Sequence, residues 1–139
     1  KMIIAIDFDG TIVKHCYPEI GEEIPFAIET LKLIQSELKH ILILWTVREG
    51  KLLEEAVDFC KERGVIFYAV NSNNPDDKAG AGPRKLMADM FIDDRNFGGV
   101  PDWGFIYNSL KYNPEGCFST EIFHNTLSGS KPKKKGFFR

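Results

Sequence analysis

The residues Met2-Ile3-Ile4-Ala5-Ile6 run without interruption into Asp7-Phe8-Asp9-Gly10-Thr11. A short run that is apolar at every position reads as a strand covered on both faces, the state of a strand inside a parallel sheet. Residues i and i+2 of an extended chain point the same way, so Asp7 and Asp9 leave this strand on one side. Open α/β sheets hold their ligands at the carboxyl ends of their strands. Two like charges there repel each other, and a hard cation bound through oxygen is the economical way to offset them.

Three further apolar runs follow, Ile41–Leu44, Val65–Val70 and Met90–Ile92. In the first gap Ile24, Ile28, Leu31, Ile34 and Leu38 recur at close to helical spacing, with Pro25 near the start, where its missing N–H costs little. In the second gap Leu52, Ala56, Phe59 and Cys60 mark a helical face, and Gly64 is a suitable stop. Strands alternating with helices predict a parallel sheet joined by crossover helices. Residues 71 to 83 hold many turn formers and no apolar periodicity, so they read as a long loop of functional interest. Beyond Arg95 the pattern weakens, with short helices expected over residues 105 to 112 and 120 to 127.

Composition narrows the function classes. At 139 residues the chain suits one domain, placed at residues 1 to 130. The last nine residues carry Lys131, Lys133, Lys134, Lys135 and Arg139 and no acid, and read as a disordered basic tail, 131 to 139. The rest of the chain therefore has a net charge of −7, which disfavours a polynucleotide partner. No stretch approaches the roughly 20 apolar residues of a membrane helix, and no signal peptide is evident, so a cytoplasmic location is expected. Cys16, Cys60 and Cys117 lack the spacing of a zinc site or a disulfide frame, and His15 beside Cys16 reads as a loop residue.

Three of the four runs end in polar residues suited to phosphate chemistry: Asp7 and Asp9, then Thr46, then Asp93 and Asp94, with Lys85 eight residues before Asp93. In that order they resemble the four motifs of the haloacid dehalogenase-like (HAD) hydrolases, beginning with Asp7-x-Asp9-x-Thr11, over roughly residues 2 to 95. The resemblance implies a three-layer, Rossmann-like α/β fold with helices on both faces of the sheet. It also implies a Mg²⁺-dependent phosphomonoester hydrolase in which Asp7 is the nucleophile, giving an aspartyl-phosphate. Asp9 would protonate the leaving oxygen and then deprotonate the hydrolytic water. Thr46 and Lys85 would complete the catalytic set by offsetting phosphoryl charge. Mg²⁺ would be held by Asp7, the Asp9 backbone carbonyl and Asp93, with Asp94 ligating directly or through water.

Other roles stand beside these. Thr46 is also placed to cap a helix starting near Glu49, and Arg84 or Lys78 compete with Lys85. Thr11 and Arg48 are candidate substrate-binding residues, although Arg48 suits a surface ion pair with a nearby glutamate equally well. The intervals from Asp7 to Thr46 and from Thr46 to Lys85 are 39 residues each, too short for an inserted cap domain. Residues 12 to 22 allow only a flap, so a large substrate or a second subunit in a homo-oligomer is expected to cover the site. A phosphotransferase or phosphomutase would use the same residues. A phospho-receiver domain would need its phosphorylated aspartate at the end of the third strand, where this chain has Val70-Asn71.

Overall fold

The computed structural model describes residues 1 to 77 and 85 to 113. Its strands are β1 (Ile3–Ile6), β2 (Ile41–Leu44), β3 (Ala69–Val70) and β4 (Met90–Ile92), and its helices α1 (Ala27–Ser36), α2 (Gly50–Glu62) and α3 (Trp103–Tyr112). The four strands form one parallel sheet in the order β3-β2-β1-β4. The fold is α/β and Rossmann-like, as the alternation of runs predicts.

The topology places a switch point beside β1. The connections β1–α1–β2 and β2–α2–β3 step the same way across the sheet, whereas β4 returns to the far side of β1. Right-handed crossovers therefore send α1 and α2 to one face, and Leu86 and Ala88, described residues of the β3–β4 connection, pack on the other. The packing agrees. Ile4, Ile6, Leu42 and Leu44 share one core with Leu31 and Ile34 of α1, Ala56 and Cys60 of α2, and Trp103, Ile106 and Leu110 of α3. The alternate residues Ala5, Ile43 and Ala69 pack against Leu86, with Ala88, Trp45 and Phe91 beside them. All three described helices thus lie on one face. Among the described residues, the other face meets the β3–β4 connection, whose sequence has no helical periodicity.

Local chemistry sets the element ends. Gly64 follows α2 with φ +88°, the left-handed stop expected of a glycine there. The third strand is shorter than its apolar run, because Val65 turns into the core and pairing with β2 begins only at Tyr68, whose N–H donates to Leu42 O at 2.9 Å. α3 starts earlier than its apolar pattern suggests, since the Asp102 side chain accepts from Phe105 N at 3.0 Å and caps it. The expected helix at 120 to 127, the basic tail, Cys117, Lys78 and Arg84 lie outside the described residues. No helix among the described residues is long and apolar enough to cross a membrane.

Leu31 is fully buried between α1 and the sheet, whereas Phe97 stands free of the core. Leu31→Ala should lose about 2–5 kcal/mol of stability, and Phe97→Ser should stay within about 0.5 kcal/mol of the parent. Urea denaturation midpoints at unchanged slope check both.

Candidate functional site

Asp7 follows the last residue of β1, and Asp93 and Asp94 follow the last residue of β4, so the switch point brings the three carboxylates together. One oxygen from each lies within 4.8 Å of the others. The backbone aligns them, with Asp7 N–H donating to Ile92 O at 3.0 Å as a continuation of the β1–β4 pairing. Thr11 cross-braces the same junction. Its hydroxyl donates to Asp7 Oδ2 at 2.9 Å and accepts from Asp94 N–H at 3.1 Å. Its carbonyl accepts from the Trp103 indole at 3.2 Å, tying the loop to the start of α3. Thr11 is fully buried, so it is not presented to a ligand as the sequence suggested. It orients two carboxylates instead.

Gly10 is required by this packing. Its φ is +85°, and a Cβ built on it would fall 2.3 Å from Asp94 Oδ2. Any larger residue would strain the backbone and displace Asp94. The Asp-Gly-Thr sequence alone carries that signal, though it points to a turn rather than to contact with a residue 84 positions away.

Asp9 takes a different path. It is only 8 % exposed, and both its oxygens accept from Arg48, Oδ2 from Nε and Oδ1 from Nη2, each at 2.7 Å. Arg48 is 0 % exposed and also donates to Pro18 O and Glu19 O, each at 3.0 Å. Its guanidinium carbon lies over the Phe8 ring at 5.1 Å and the Tyr17 ring at 5.2 Å. The bond to Asp9 raises the already high Arg48 pKa, outweighing burial. Both sequence alternatives for Arg48, a substrate contact and a surface ion pair with glutamate, are corrected. It is an interior clamp between the β2–α2 turn, Asp9 and the flap. The Asp9 carboxylate correspondingly faces Arg48 and is not among the three clustered carboxylates.

A cavity of about 700 Å³ opens above the acidic cluster, with Asp7, Asp9, Thr46, Asp93 and Asp94 in its wall. Thr46 N–H donates to Asn71 Oδ1 at 2.8 Å, with Asn71 in a left-handed conformation (φ 53°) at the end of β3. The Thr46 hydroxyl accepts from Arg48 N–H at 3.2 Å, closing a turn. Thr46 does not cap α2: Glu49 occupies that position and makes no side-chain cap bond. Lys85 is not in the wall. It is exposed, with Nζ 5.9 Å from the Phe91 ring centroid, and Phe91 belongs to the face packed by the β3–β4 connection. Arg95 lines the cavity, as do His15, Tyr17, Trp45 and Val47. Sequence reasoning set His15 aside and passed over the others. Arg95 was detectable as the neighbour of Asp94, but the flap residues needed the tertiary fold.

Burial pushes the Asp7 carboxyl up to about 7 from 3.8; the Thr11 hydroxyl opposes the shift, and the Asp93 charge and a hydrogen bond with Asp94 add to it. Three oxygen donors this close, one of them reluctant to ionise alone, fit a hard divalent cation. Because the folded-state pKa is raised, Asp7 favours folding at low pH. That contribution is lost as pH rises from about 4 to about 7. A divalent cation held by these carboxylates would compete with this proton, so any stabilisation by Mg²⁺ should grow over the same range. Thermal unfolding against pH, in EDTA and in millimolar Mg²⁺, should show two diverging curves, and Asp7→Asn should flatten the EDTA curve. A second outcome concerns the clamp. Arg48→Met strands a buried carboxylate and should cost about 3–5 kcal/mol, more than the double replacement with Asp9→Leu. Urea denaturation of the double-mutant cycle checks it.

No family model matches the chain, and no curated protein does. Among solved structures it is similar to a conserved protein from Bacteroides thetaiotaomicron, with a TM-score of 0.73 and 64% sequence identity. The match covers 79% of this chain and 89% of that one. Identity at that level over most of both chains reflects common descent as well as a common fold: this chain belongs to the family of that conserved protein.

Proposed function

We propose that this protein is a Mg²⁺-dependent phosphomonoester hydrolase of the HAD type, acting through an aspartyl-phosphate on Asp7. The observation that carries the reading is the cluster of Asp7, Asp93 and Asp94 within 4.8 Å at the carboxyl ends of adjacent parallel strands, in the wall of a cavity of about 700 Å³. The donor set is oxygen only and suits Mg²⁺, with Asp7, Asp93 and Asp94 as the holding residues. When bound, the ion supplies positive charge that offsets repulsion between a carboxylate and a phosphate dianion.

The chain's own groups do the rest. An ionised Asp7 oxygen attacks phosphorus as the bond to the leaving oxygen breaks, and Thr11 engages the Oδ2 oxygen, leaving Oδ1 for the attack. Thr46 and Arg95 line the cavity, where their hydroxyl and guanidinium would meet phosphoryl oxygens. Arg95 takes the charge-offsetting part that the motif order assigned to Lys85. Asp9 protonates the leaving oxygen and then takes a proton from the water that attacks the intermediate. Arg48 occupies one lone-pair direction on each Asp9 oxygen, so proton transfer uses the directions outside the guanidinium fork.

Asp7→Asn should abolish turnover of every phosphomonoester while leaving the fold intact, because the amide is nearly isosteric and a poor nucleophile. Wild type with Mg²⁺ and beryllofluoride should gain thermal stability, and Asp7→Asn should not. Excess EDTA should remove activity without unfolding the chain. Arg95→Ala should reduce kcat/KM more than Lys85→Ala. Sustained turnover by Asp7→Asn, measured as phosphate release, would reject the reading.

A further inference from the structure

The acidic cavity has an apolar side that phosphate chemistry leaves unexplained. Tyr17, from the flap, is 48% exposed and Val47, from the β2–α2 turn, is 71% exposed, and both line the same cavity as Asp7 and Asp93. Trp45 joins them from the end of β2. Bringing apolar side chains from two separate segments to the rim of a charged pocket wastes contact area unless the ligand has an apolar part of its own.

Tyr17 also packs against a fixed interior cation. The Arg48 guanidinium lies over both the Phe8 and the Tyr17 rings, at 5.1 and 5.2 Å from their centroids, and is itself fixed by hydrogen bonds to Asp9, Pro18 and Glu19. Phe8, Arg48 and Tyr17 therefore form a continuous set of contacts from the fully buried core to the cavity. Each contact is within the distance at which a cation and a ring attract. With the cation on it, Tyr17 stays 48% exposed where it lines the cavity, which leaves aromatic surface for a flat partner to cover.

We infer that the substrate is a phosphomonoester whose leaving group carries a flat unsaturated ring, and that this ring stacks on Tyr17 beside Val47 while the phosphoryl group sits at Asp7. This rests on the hydrolase reading above and adds the substrate class. A polyol phosphate has no ring to offer these side chains, and a sugar phosphate offers only the C–H face of a puckered ring, which covers a flat aromatic face less completely than a planar ring does. Stacking of a ring on an aromatic side chain changes affinity by roughly five- to a hundredfold.

A nucleoside 5′-monophosphate and ribose 5-phosphate make a suitable pair of probes, because they share the primary ester oxygen and differ in the ring. With Mg²⁺, wild type should hydrolyse adenosine 5′-monophosphate with a kcat/KM at least about tenfold above that for ribose 5-phosphate. Tyr17→Phe should keep that ratio, and Tyr17→Ala should collapse it towards one. The same ratios should appear in equilibrium binding to wild type with Ca²⁺ in place of Mg²⁺, followed by tryptophan fluorescence. A ratio near one in wild type, or one that survives Tyr17→Ala, in either measurement, overturns the inference and leaves the hydrolase reading standing. If neither ester is turned over, the binding ratio alone decides the inference: a ratio near one, or one that survives Tyr17→Ala, overturns it.

Discussion

The buried ion pair between Arg48 and Asp9 is the constraint on which the upper half of the molecule depends. A guanidinium out of contact with water is costly unless its donors are satisfied, and here Asp9, Pro18 and Glu19 together take them. Satisfying that requirement does three things at once. It holds the flap down on the β2–α2 turn, pairs the Asp9 carboxylate with a cation beside the acidic cluster, and packs against Tyr17 at the cavity. Asp7 and Asp9 leave β1 two residues apart, yet one faces a cluster of negative charge and the other a fixed positive one. The different surroundings of two carboxylates in one motif follow from this single interior cation.

The acidic cluster depends on topology in the same way. Asp7 and Asp93 are 86 positions apart, and they meet because β4 returns to pair with β1 after the chain has built β2 and β3 on the other side. The sheet reverses direction there, which opens a crevice above the junction. Thr11 and Gly10 then fit the two strand ends together, the first by bridging Asp7 to Asp94 and the second by leaving room for Asp94. Neither residue needs to touch a ligand to determine the geometry that a ligand would meet. The raised pKa of Asp7 is a product of the same fit, since burial and two neighbouring acids oppose its ionisation in the absence of a cation.

Much of the fold was legible because it follows from local patterning. The apolar runs at Met2–Ile6, Ile41–Leu44 and Met90–Ile92 contain strands, and the helical stripe through Ile28, Leu31 and Ile34 belongs to α1, since period and composition act over a few residues. The element limits were less legible where a single contact overrode the pattern. The Asp102 cap drew α3 back to Trp103, and the inward turn of Val65 shortened β3 to two residues. Among the described residues α3 joins α1 and α2 on one face of the sheet. That choice rests on where Trp103, Ile106 and Leu110 find a core to fill.

By itself, the sequence determined that a parallel sheet would carry aspartates at the ends of its first and last described strands, because buried strands must be apolar and their exits need not be. It determined Asp7, Asp93 and Asp94 as candidates for one charged site, since open sheets gather such residues at their carboxyl edge. Only the tertiary structure decided that Arg48 is an interior clamp rather than a surface cation, and that Arg95, not Lys85, borders the cavity. The reason is physical. A charge on a loop has no preferred partner until the chain has folded, and its burial, partners and direction are properties of segments that meet from far apart in the chain.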